Sequence, residues 1–95
     1  MRITEIVWTE AAIEHIARHA VAPDEVEEVI ASGPMWRRGR KHHETGRRSI
    51  YALGRTEAGR YLFVVLLPLG SGRARCVTAR DVDTASRRIY DRRER

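Results

Sequence analysis

The sequence predicts a single α+β domain over residues 1–95, built on a largely antiparallel sheet of four to five strands with two N-terminal helices and one C-terminal helix. Three observations lead there. A chain of 95 residues supports one hydrophobic core and no second domain. Apolar residues at helical spacing occur in residues 10–31 and again in 82–89. Between them, residues 35–80 alternate apolar and polar side chains and are punctuated by turns bearing Gly and Pro.

Each element follows from its residues. Ile3-Thr4-Glu5-Ile6-Val7-Trp8 is β-branched and apolar enough for a strand. Thr9 then caps a helix to about His19, with Ala12, Ile13, Ile16 and Ala20 on one stripe. Pro23-Asp24-Glu25 opens a second helix, because Pro suits the first turn and acids suit the positive end of the dipole. Val26, Val29 and Ile30 form its apolar stripe, and Ser32-Gly33-Pro34 stops it.

The strands come next. Residues 35–41 are charged enough for an edge strand that must not pair with another chain. Residues 42–46 turn into a strand over 49–55, and Thr56-Glu57-Ala58-Gly59 makes a hairpin loop. Residues 60–67 form the most buried strand, and residues 68–72 turn the chain into 73–80. Alternation there places Cys76, Thr78 and Arg80 on one face and Arg75, Val77 and Ala79 on the other. Asp81 or Asp83 caps the final helix, whose stripe is Val82, Ala85 and Ile89.

Composition narrows the location. The longest apolar run, residues 61–67, is far short of the roughly 20 residues that span a membrane. The first residues lack the apolar stretch of a secretory leader, and the single cysteine, Cys76, permits no intramolecular disulfide. The expectation is a cytoplasmic protein with no membrane partner. Charge narrows the partner. The net charge is +5, but residues 1–33 carry −5 and residues 34–95 carry +10. Seventeen of the eighteen cations are Arg, whose planar fork pairs bidentately with phosphate. Such a basic half fits nucleic acid or an acidic protein, and it also fits plainly solvated strand faces.

The chain has no phosphate-binding loop, no nucleophile elbow and no paired cysteines for zinc. His15 and His19 stand one helical turn apart and could share a metal ion, joined by His42-His43-Glu44 only if the fold brings that turn alongside. Solvated or capping histidines are the plainer explanation, and no metal or other cofactor is expected. His19, after Arg18 at a helix end, also suits general acid–base work near neutral pH. Arg60 opens the most buried strand and Arg80 closes the last one. Cations so placed can stabilise charge on a scissile phosphate while His19 activates a 2′-hydroxyl, with Thr78 or Tyr90 assisting. Structural ion pairs, Arg80 with Asp81 or Asp83 among them, are the plainer explanation. Trp8 suits the core; Trp36, among Arg37, Arg38 and Arg40, suits either the core or stacking on a base.

Trp8-Thr9-Glu10, then Arg18-His19-Ala20-Val21, then Glu25-Val26-Glu27-Glu28-Val29 resembles the opening of the BrnT-type toxins, which usually carry Lys-His at the second motif. The run from Gly54 to Val65, then Val77-Thr78-Ala79-Arg80-Asp81 and Arg87-Arg88-Ile89-Tyr90, is similar to the rest of that family's signature. The resemblance covers about residues 5–91. It implies a RelE-like fold and the toxin of a type II toxin–antitoxin pair: a ribonuclease that inhibits translation by cutting RNA without a metal. It implies RNA as substrate, messenger RNA free or on the ribosome. It also implies a BrnA-type DNA-binding antitoxin through which the complex meets operator DNA. The implied catalytic residues are Arg18, His19, Arg60 and Arg80; Arg55, Thr78, Arg87, Arg88 and Tyr90 are the implied RNA contacts. Two departures matter. Arg18 replaces a lysine that can exchange a proton, and Arg47-Arg48 stands where the family has Glu-Arg. They favour the alternative of a non-catalytic BrnT-like domain that binds nucleic acid or acts as a corepressor.

Overall fold

The computed structural model describes residues 3–41, 43, 46–83 and 88. The order is β1 (Glu5–Val7), α1 (Glu10–Ala17), α2 (Pro23–Ala31), β2 (Met35–Lys41), β3 (Arg48–Arg55), β4 (Tyr61–Gly70) and β5 (Arg73–Asp81). The predicted C-terminal helix falls largely outside the described residues, Arg87, Ile89 and Tyr90 included.

The two helices start where their residues dictate. Thr9 is extended, and its Oγ1 accepts from the Ala12 N–H at 3.1 Å. At α2, Pro23 occupies the first turn, and Glu25 Oε1 accepts from the Ala22 N–H at 3.0 Å, doing the work of a cap that alanine cannot do. Between the helices Ala20 takes φ 58°, a left-handed conformation unusual for a residue with a Cβ.

Strands β2 to β5 step across the sheet as successive antiparallel hairpins and bring β5 beside β1, which it meets in parallel. The sheet is therefore five-stranded and mixed, in the order β1-β5-β4-β3-β2. The fold class expected from sequence holds at this level: a small α+β domain with two helices after the first strand.

Two local expectations are corrected. Residues 68–70 belong to β4 rather than to a five-residue turn, and Ser71-Gly72 alone makes the hairpin with φ 55° and 77°. Positive φ at both positions matches the right-handed twist of the flanking strands. The second correction is the phase of β5. Cys76 pairs with Leu66 and Thr78 with Val65, so an extra residue bulges between them. Ala74, Cys76 and Ala79 consequently lie buried beneath the helices, and Ala79 does not share a face with Arg75.

The main core lies between the helices and one face of the sheet. Ile16 of α1 and Val26 and Val29 of α2 pack on Ile50, Ala52, Leu62, Val64, Leu66 and Cys76. Full burial of each large aliphatic here contributes roughly 1.5–3 kcal/mol. Trp8 and Trp36 pack against this same core, and the Trp8 Nε1 donates to Glu27 Oε2 at 2.9 Å. Both indoles contribute to the core, and each is only partly buried.

Candidate nucleic-acid interface

The sheet face away from the helices has a different chemistry. Register places Met35 and Arg37 of β2, Tyr51, Leu53 and Arg55 of β3, Tyr61, Phe63 and Val65 of β4, and Arg80 of β5 on it. Met35 and Leu53 are buried against Tyr61, Phe63 and Val82. Around them the aromatic rings are half-buried and the arginines exposed. Tyr51 meets Phe63 edge to face, with ring centroids 5.0 Å apart. The Arg80 guanidinium lies 5.1 Å from the Phe63 centroid, and that of Arg55 lies 5.6 Å from Tyr61. Rings interleaved with arginines on a sheet can stack bases and hold phosphates at once. Tyr51, Tyr61 and Phe63 escape a sequence reading as stacking groups, because alternation alone does not say which face the helices cover.

The second feature is the outer side of β5. β1 pairs only with residues 73–75, so beyond that point α1, not a strand, is the neighbour of β5. There the His15 Nε2 lies 3.0 Å from the Thr78 Oγ1. The His15 and His19 rings meet edge to face at 5.6 Å. A cleft of about 320 Å³ opens beside His15, lined by Thr9, Ala12, Arg75, Cys76 and Val77. The Cys76 thiol at its floor is pushed up to about 12 by burial, so it stays protonated and unreactive.

Arg60 has the opposite surroundings. Its Nε donates to Asp81 Oδ1 at 2.7 Å and its Nη2 to Asp81 Oδ2 at 3.2 Å. The Nη2 also donates to the His19 carbonyl at 3.2 Å; the Nη1 donates to the Ala20 carbonyl at 2.6 Å and to Glu25 at 3.2 Å. All five guanidinium N–H groups thus have acceptors within the fold. The Asp81 hydrogen bonds raise the Arg60 pKa above its ordinary value, and Arg60 in turn holds the Asp81 carboxyl below the usual range. Arg60 ties together the α1–α2 turn, the start of α2 and the end of β5. A phosphate could reach this guanidinium only by displacing protein acceptors.

The remaining sequence candidates divide. Arg18 is exposed at the end of α1, where its backbone N–H donates to the His15 carbonyl at 3.2 Å. Arg80 is exposed and has no carboxylate partner among the described residues; Asp81, its expected partner or a helix cap, is taken by Arg60. Arg55 and Thr78 sit as described above. Arg87 and Tyr90 lie outside the described residues, and Arg88 is exposed. Arg47 and Arg48 donate to the carbonyls of Pro68 and Gly39. The structure thus brings Thr78, His15 and His19 together and sets Arg80 two residues along the same strand. His15 is the addition, and its spacing from His19 is the signal that points to it. Among the described residues no group of three or more His, Cys, Asp or Glu side chains converges to hold a metal ion. The chain matches no protein-family model and no curated protein.

Proposed function

We propose that this chain is a cytoplasmic, RNA-cleaving toxin of BrnT type that inhibits translation and uses the β5 side of the aromatic sheet face as its RNA seat. The observation that carries the reading is the state of Arg80. It is an exposed guanidinium resting on Phe63 without a carboxylate among the described residues, on the strand whose Thr78 hydroxyl meets His15 beside His19. Arg80 holds the scissile phosphate and stabilises its developing charge, and His19 moves the proton that frees the 2′-hydroxyl. Tyr61, Phe63 and Arg55 receive the flanking nucleotides. Arg60 acts by positioning the backbone of His19 rather than by touching RNA. Arg18 adds charge beside the cleft and exchanges no proton. The antitoxin would be of the BrnA type and would carry the operator contact.

A second reading, a non-catalytic nucleic-acid-binding or corepressor domain, is favoured by the commitment of Arg60 and by the arginine at position 18. Induced expression separates the two. The first predicts growth arrest with RNA cleavage from the wild-type chain and neither from a soluble, folded Arg80→Ala variant. Unimpaired growth and intact RNA from folded wild-type protein would replace the first reading with the second.

A further inference from the structure

The proposed reaction uses one imidazole, but the structure holds two at the same place. His15 and His19 lie one helical turn apart, both exposed, with their rings 5.6 Å from centroid to centroid. His15 is fixed against β5 through Thr78, and His19 follows the end of α1, where Arg60 holds its carbonyl. Neither ring has a carboxylate partner among the described residues, and the Asp81 and Glu25 carboxylates are engaged by Arg60. Thr78 and Arg80 stand on the same side of β5, about 7 Å apart by strand rise. Two imidazoles, one of them anchored on Thr78, thus stand beside the strand that carries Arg80.

We infer that His15 is the second proton-transfer group of this site, and that His15 and His19 act as an acid–base pair on an RNA phosphodiester. The inference rests on the ribonuclease reading above. One imidazole takes the proton of the 2′-hydroxyl as its oxygen forms a bond to phosphorus. The bond from phosphorus to the 5′-oxygen breaks, its electron pair leaves with that oxygen, and the other imidazole supplies the proton it needs. The products are a 2′,3′-cyclic phosphate and a free 5′-hydroxyl. No oxidant, reductant or water is consumed, and the two imidazoles have exchanged protonation states. Arg80 faces the phosphoryl oxygens, whose negative charge grows in the transition state. The competing account is that His15 only fastens α1 to β5 through Thr78.

The test is cleavage by the purified full chain of a DNA oligonucleotide carrying one internal ribonucleotide, beside uridine 3′-(4-nitrophenyl phosphate). The aryl ester has a leaving oxygen that departs without a proton. On the oligonucleotide, His15→Asn and His19→Asn should each fall by about 10²–10⁴-fold with unchanged melting temperature. On the aryl ester, one of the two variants should recover and the other should not. A His15→Asn variant within about twofold of wild type while His19→Asn is inactive would overturn the pair. So would an equal fall in melting temperature for His15→Asn and Thr78→Val, with cleavage per folded molecule preserved. Failure of the wild-type chain to yield any cyclic phosphate end would instead remove the ribonuclease reading, and this inference with it.

Discussion

Arg60 and Asp81 close the end of the β4–β5 ladder as a side-on pair, with Nε–Oδ1 at 2.7 Å and Nη2–Oδ2 at 3.2 Å. The same guanidinium reaches two carbonyls of the α1–α2 turn and the Glu25 carboxylate at the start of α2. Removing it leaves several acceptors without their donor, though Asp81 is largely exposed and water replaces part of the loss. Arg60→Ala should therefore cost about 1–3 kcal/mol in denaturant unfolding. A change within error would mean that the clamp adds nothing.

Acid should erase part of that difference. Arg60 lowers the Asp81 pKa in the folded state, mainly through its hydrogen bonds. The resulting stability is fully present above the unfolded value of about 3.9 and is lost as pH falls below it. The gap in melting temperature between wild type and Arg60→Ala should narrow between about pH 5 and pH 2. A gap that widens on acidification would contradict the assignment.

Gly39 lies beneath the Tyr51 ring, and a Cβ built there would stand 2.5 Å from Cε1 of that ring. Gly39→Ala should push the ring out of its edge-to-face contact with Phe63 and cost about 1–3 kcal/mol. Adding Tyr51→Ala should recover part of the loss in a double-mutant cycle. A cycle with no coupling would place the cost elsewhere.

Ala20 pays for its left-handed φ of 58° with a Cβ it does not need. Ala20→Gly should stabilise the domain by about 0.5–1 kcal/mol, and Ala20→Val should destabilise it by more. Thermal melts of the two variants give the order; a destabilised Gly variant would refute it.

Much of the fold was legible because it is written locally. Thr9, Pro23 and Gly33 mark helix ends whatever the rest of the chain does, and Pro34 marks the start of the strand at Met35–Lys41. What escaped depends on distance or on one extra residue. The bulge between Cys76 and Thr78 shifts the alternation of β5, so the sequence pattern put Ala79 on the wrong face. The partners of Arg60 lie 21 to 41 residues away, and two are backbone carbonyls that no composition reveals. Hence Arg60 and Arg80 look equivalent in the sequence and differ entirely in their surroundings. His15 belonged to a visible pair, but only the contact with Thr78 sets that pair beside the strand of Arg80.

One paired measurement reaches that difference between the two arginines directly. Affinity for a single-stranded RNA oligonucleotide would be followed against salt, with melting temperature, for wild type, Arg80→Ala and Arg60→Ala. Arg80→Ala should reduce the slope of log affinity against log salt by about 0.7, one phosphate contact, and leave the melting temperature unchanged. Arg60→Ala should lower the melting temperature and, while folded, keep the wild-type slope. The reverse pattern, with the slope lost at Arg60 and kept at Arg80, would contradict the account.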